Sequence, residues 1–219
     1  MAVKENLLEL KKNLPEHVTL VAVSKTKPVE AILEAYETGQ RIFGENKIQE
    51  MAQKWEKLPK DIEWHMIGHV QRNKVKYMAK FVSLIHGVDS FRLLKEIDKQ
   101  GKRNERIIDC LLQMHIAEEE TKFGMSSKEL DELLDSPEFE ALENIRIRGV
   151  MGMATFTENT NQIKKEFQFL QSVFERLKQQ IPTVDILSMG MSGDYEIAIA
   201  EGSTMVRIGS SIFGARNYS

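Results

Sequence analysis

The chain carries a single cysteine in 219 residues, and that residue, Cys110, sits inside the apolar run IIDCLLQM. A lone thiol in such a run packs as a small hydrophobe, which excludes a disulfide scaffold and a cysteine-rich metal site and fits a reducing cytosol. Charge of one sign is also missing: 30 Lys and Arg stand against 33 Asp and Glu, a formal −3. No broad field therefore favours nucleic acid or an anionic membrane. No stretch is apolar enough to span a bilayer, and the amphipathic start MAVKENLLELKKNL lacks the apolar core and cleavage site of a secretory signal. Low-complexity linkers, constant-period repeats and breaks in composition are absent too. With 42% apolar and 29% charged residues, one soluble cytoplasmic domain over residues 1–219 is expected.

What is present is an alternation. After a helix over Val3 to Asn13, the run VTLVAVS ends at Lys25 and leads through Pro28 into a helical pattern from Val29 to Thr38. The same grammar recurs in RIFGE before Lys47 to Lys57, EWHMIG before Asn73 to Phe81, and SLIHGVD before Phe91 to Gln100. It continues with IIDCLLQMHIA before Lys128 to Leu134, IRIRGVMGMA before Gln162 to Gln180, and VDILSMGM before Tyr195 to Ala200. TMVRIGSSIFG makes an eighth strand. Eight strands apolar on both faces, separated by helices, predict a parallel sheet closed into a (β/α)8 TIM barrel with an extra N-terminal helix; an open doubly wound sheet is the alternative.

In such a barrel the loops after the strands form the active face. Lys25 follows a largely apolar strand, so its amine is expected to be partly desolvated and neutral. That is the form that makes a Schiff base with an aldehyde such as pyridoxal phosphate. A lysine snorkelling to solvent is the competing reading. SMGMSGDYE sets Gly190 and Gly193 around Ser192 just before a short helix, and RIGSS adds Gly209, Ser210 and Ser211. Glycines permit close approach, and N–H groups at a helix start donate to anions, so the two turns after strands seven and eight read as a phosphate cradle or, more plainly, as tight turns. Arg207 brings a permanent charge to an apolar strand and needs an acceptor, either a ring nitrogen or Glu45, Glu196 or Glu201. His65 and His69 lie four apart across a strand and turn, where helical ligand geometry does not apply, so no metal is expected. His86 and His115 are expected to find backbone or loop partners, and Met151, Met153, Met189 and Met191 to line core or pocket. No Gly-x-Ser-x-Gly elbow, Walker loop or dinucleotide fingerprint occurs.

AVSKTKP at 22–28, FGENKIQE at 43–50, WHMIGHVQRNK at 64–74 and LSMGMSGDYEIAIAEGSTMVRIGSSIFGAR at 187–216 together resemble the pyridoxal phosphate homeostasis protein family. That family is itself similar to the N-terminal barrel of alanine racemase, and the match spans nearly the whole chain. The resemblance implies pyridoxal 5′-phosphate as cofactor, a Schiff base on Lys25, Arg207 facing the pyridine nitrogen, and the phosphate held by Ser192, Gly209 and Ser210 with nearby backbone. Asn46 and Met189 would line the pocket. Lys47, where the family often has an aromatic residue, and His115, where it often has asparagine, depart from the pattern at the rim and the strand-five loop.

Racemisation needs an acid and a base on opposite faces of the Schiff base. Alanine racemases, as the resemblance implies, supply the opposing tyrosine from a C-terminal β domain of a partner subunit, whereas this sequence ends at Ser219, just after the eighth strand. The expectation is a carrier with no catalytic residue, which buffers pyridoxal phosphate and delivers it to apo-enzymes as a monomer or weak homodimer. A small racemase with Tyr195 or His65 as second base, and a phosphate-binding barrel enzyme without cofactor, are the rival readings.

Overall fold

A strand such as TLVAV has no polar face to give to water, so it must be covered on both sides, by the barrel interior and by a helix. In the computed structural model, which describes residues 3–214, eight such strands do this in one closed parallel barrel, neighbours following sequence order. The last strand pairs with the first, Val21 opposite Arg207 and Ala22 opposite Ile208.

The chain opens with α1 (Val3–Asn13) and continues β1 (Thr19–Val23), α2 (Val29–Glu37), β2 (Ile42–Glu45), α3 (Ile48–Lys57) and β3 (Glu63–Met66). A 3-10 helix (Arg72–Tyr77) leads to β4 (Leu84–Val88), α4 (Phe91–Arg103), β5 (Ile108–Gln113), α5 (Ser127–Leu134) and α6 (Pro137–Glu140). Then come β6 (Ile145–Met151), α7 (Thr160–Gln180), β7 (Ile186–Ser188), α8 (Tyr195–Ala200), β8 (Met205–Ile208) and α9 (Ser210–Phe213).

Alternation along each strand divides the apolar side chains into two sets. Val21, Leu84, Leu111, Met151 and Met205 plug the barrel, while Leu20, Ala22, Phe43, Trp64, Ile85 and many others meet the helices outside it. α1 packs against α2 and α9, burying Leu7 and Leu10, and Asn6 donates through Nδ2 to the Ile212 carbonyl at 3.0 Å.

Three segments differ from expectation. Residues 73–81, expected as a helix, contain a 3-10 helix that ends at Tyr77 and then turns, although Val75, Met78 and Ala79 are all buried at helical spacing. TMVRIGSSIFG is not one strand: β8 ends at Ile208, and SSIF winds into α9 so that Ile212 is buried behind the loop. A short apolar run does not distinguish strand from helix by itself. α6 was marked only by Ser136 and Pro137, the cap and first-turn proline of a helix start. The last two residues of the 187–216 block lie outside the described residues.

Candidate functional site

At the C-terminal end of the barrel a cavity of about 440 Å³ opens, within the range of small-molecule sites. Lys25, Asn46, Ser192, Arg207, Gly209 and Ser210 all line it, so six of the expected site residues meet around one space. Met189 does not. It is fully buried in the apolar shell outside the barrel, because Ser188 faces inward and the next side chain points to the opposite face. Met153 and Met191 supply the thioethers at the cavity instead.

Lys25 is part-buried and occupies the first central position of a turn closed by the Lys27 N–H to the Ser24 carbonyl at 3.0 Å. Val23 and Ile67 form apolar wall beside it. Lys27 also lines the cavity, and its Nζ donates to the carbonyls of Phe213 and Gly214 at 2.9 and 3.2 Å.

Two glycine-serine turns face these lysines. Gly190 lies at φ +98°, where a β-carbon would stand 2.6 Å from that of Ala198, so the β7 loop takes its path only with glycine. The loop folds back on itself through the Met191 N–H to Asp194 Oδ1 at 2.6 Å; Asp194 does not cap α8 with its side chain. A β-carbon at Gly209 would come within 3.1 Å of the Val23 carbonyl, and the Gly209 N–H reaches Ser192 Oγ at 3.3 Å, joining the two turns. Ser210 and Ser211 begin α9, and the N–H groups of a first helical turn have no intrahelical acceptor. The lining therefore combines amines, a guanidinium, hydroxyls and N–H donors, with no carboxylate among the described residues that form it. Such a set suits a small anion carrying a group that reacts with an amine.

Arg207 is 4% exposed. It donates to Ser188 Oγ at 2.6 Å and to the Gly152 carbonyl at 3.1 Å, and burial brings its pKa down to about 10 against the opposing pull of Asp194. The salt bridges to Glu45, Glu196 or Glu201 do not form among the described residues: Glu45 pairs with Lys54 and Glu201 with Lys164.

Behind Arg207 a polar chain that sequence reasoning missed crosses the barrel interior. Ser188 Oγ lies 3.0 Å from His86 Nδ1, and His86 Nε2 lies 3.0 Å from His65 Nδ1. Arg207 can only donate, so Ser188 Oγ accepts from it. With the Ser188 hydroxyl donating to His86 Nδ1, His86 donates through Nε2–H to His65 Nδ1. Burial keeps both rings neutral, with His65 lowered to about 3 and His86 well below its usual value. His86 was expected to meet backbone or loop partners and meets side chains instead. The signal was strand parity, since His65 and His86 follow inward positions on β3 and β4. His115 does have a backbone partner, the Glu119 carbonyl. His69 pairs with Asp89 at 3.2 Å and stacks on Phe123. Among the described residues no group of three or more His, Cys, Asp or Glu could hold a metal ion.

Residues 1–217 match the family model for the alanine racemase N-terminal domain. The chain is 41% identical over 210 residues to the pyridoxal phosphate homeostasis protein of Vibrio alginolyticus, covering 94% of this chain and 89% of that protein. It is 42% identical over 210 residues to the protein of the same name from Escherichia coli K12, covering 94% and 88%. Among solved structures, PipY of Synechococcus elongatus with PLP bound superposes with a TM-score of 0.88 at 35% identity, over 97% of this chain and all of that one. Alanine racemase from Bartonella henselae, at 18% identity and a TM-score of 0.75, shares the barrel over 98% of this chain and 58% of its own.

Proposed function

Since the chain belongs to the alanine racemase N-terminal domain family, and within it to the pyridoxal phosphate homeostasis proteins, we propose that it binds pyridoxal 5′-phosphate reversibly in the barrel-mouth cavity and maintains the free cofactor at a low level in the cytosol. The observation that carries the reading is the convergence of Lys25, Arg207 and two glycine-serine turns on one space. When bound, the cofactor supplies an aldehyde to an amine and a phosphate to donors. Lys25 would hold the aldehyde as a Schiff base. Ser192, Gly209 and Ser210, with the first N–H groups of α9, would hold the phosphate, and Asn46 would border the ring.

Arg207 would face the pyridine nitrogen. A guanidinium fixed as a donor keeps a facing ring nitrogen unprotonated and weakens the ring as an electron sink. The candidates for a second acid–base group do not border the cavity: His65 is buried in the interior chain, and Tyr195 bonds Glu196 at 3.4 Å and is not part of the lining. These features support buffering and delivery to apo-enzymes over racemisation. No helix among the described residues is long and apolar enough to cross a membrane.

Incubating the protein with pyridoxal phosphate is expected to produce a visible absorption band that Lys25→Ala abolishes. Solvent deuterium exchange at an amino acid α-carbon is expected to be slow or absent, and the bound cofactor should pass to an apo-aminotransferase. A band that survives Lys25→Ala contradicts the assignment, and rapid exchange contradicts the carrier role.

A further inference from the structure

Two lysines, Lys25 and Lys27, stand two residues apart in one turn and line one cavity, and something must decide which of them meets the aldehyde. The turn itself is unusual. Thr26 sits at φ +63°, in the left-handed region that a β-branched residue rarely occupies. It is held there from outside: the Thr26 N–H donates to Glu50 Oε1 at 2.6 Å. Glu50 in turn accepts from Lys54 Nζ at 2.7 Å, and the same amine reaches Glu45 Oε1 at 2.7 Å and the Ser24 carbonyl at 2.8 Å. Ser24 Oγ closes the cluster on Glu45 Oε1 at 2.6 Å. Both neighbours of Lys25 are thus clamped by α3 and the end of β2, through Glu45, Glu50 and Lys54, which do not line the cavity.

We propose that Glu50, braced by Lys54 and Glu45, is a positioning residue that fixes the Ser24–Lys27 turn so that Lys25 rather than Lys27 forms the bond to the cofactor. The inference rests on the Schiff-base reading above. Glu50 touches no ligand. It acts through the Thr26 amide, whose left-handed conformation rotates the chain between the two lysines. Lys27 is drawn the other way, to the carbonyls that end α9.

The test uses the full chain and three readouts: the thermal midpoint of the cofactor-free protein, the rate at which the absorption band appears on mixing with pyridoxal phosphate, and the distribution of label between Lys25 and Lys27 after borohydride reduction and peptide mass mapping. Glu50→Ala should slow band formation about tenfold or more, as misplacement of a reacting group does, and shift label toward Lys27. Glu50→Gln retains an acceptor oxygen for the Thr26 N–H and should behave as the parent. Thr26→Gly, which relaxes the left-handed position, should rescue Glu50→Ala. A merely structural role for Glu50 would lower the thermal midpoint without moving the label. If Glu50→Ala does not fold, Glu50→Asp carries the same comparison, because it withdraws the acceptor while keeping the charge. Parental rate and labelling in the Ala or Asp variant overturn the proposal, as does failure of Thr26→Gly to rescue. Parent protein without label on Lys25 overturns the functional reading itself, and this proposal with it.

Discussion

Replacing Arg207 with methionine should make the cofactor-free protein more stable and the ligand-bound protein weaker. Arg207 is a buried cation whose contacts in the structure are neutral, a hydroxyl and a carbonyl. Its pKa, brought down by burial to about 10 from 12.5, corresponds to roughly 3 kcal/mol against keeping the charge there. Methionine removes that penalty at similar length. The Gly152 carbonyl then loses its donor at about 1 kcal/mol, while Ser188 keeps His86. The balance is a gain of about 2 kcal/mol, or roughly 4–8 °C in thermal midpoint for a chain of this size. A hydrogen bond from a charged donor to the ligand contributes about 1.5–3 kcal/mol, so cofactor affinity should fall by roughly 10- to 100-fold. Scanning calorimetry with and without pyridoxal phosphate reads both effects. A variant less stable than the parent when cofactor-free, with an unchanged ligand-induced shift, would refute the reasoning that Arg207 is retained for binding.

Glu45 should make stability fall with rising pH. Burial lifts its carboxyl from 4.5 to about 7 despite Lys54, and its Oε2 is buried without a partner among the described residues. The folded state therefore retains a proton that the unfolded state gives up, and stability present at pH 4.5 declines by up to roughly 3 kcal/mol as pH rises through 7. Glu45→Gln should remove that trend in urea titrations at pH 5 and 8, and identical trends in both proteins would contradict it. The interior histidines act oppositely: neutral when folded, they take up protons near pH 6.5 once unfolded. Their contribution is whole above that pH and lost below it, by about 1.4 kcal/mol per pH unit for each ring. A His65→Gln protein should lose less stability than the parent between pH 6.5 and 5; an equal loss argues against a neutral ring. Gly190→Ala, forced to φ +98° against Ala198, should lower stability by more than about 1 kcal/mol and weaken phosphate binding through Ser192; unchanged calorimetric midpoint and affinity would show that the loop tolerates a β-carbon.

The barrel was legible because its strands are apolar on both faces and α1 and α8 run over the residues their pattern marked. Strand ends and their glycine-serine turns pointed to Lys25, Ser192, Arg207, Gly209 and Ser210 of the cavity wall, and the family resemblance to Asn46. What was illegible depended on side-chain direction. Met189 sits one residue after an inward Ser188, so the same strand end that places Arg207's hydroxyl partner at the site turns the thioether away. The Ser24–Glu45–Lys54–Glu50 cluster joins residues up to 30 apart, and its local mark in the sequence is the i,i+4 pair of Glu50 and Lys54. The turn it holds requires φ > 0 at a threonine between two lysines, a requirement that only the folded backbone reveals.

A crystal structure of the protein grown with pyridoxal 5′-phosphate would show the cofactor site itself. Continuous density from Lys25 Nζ, with the phosphate against Ser192, Gly209 and Ser210 and the ring nitrogen toward Arg207, is the predicted result. Density joined to another side chain, or a phosphate bound away from the two glycine-serine turns, would contradict it.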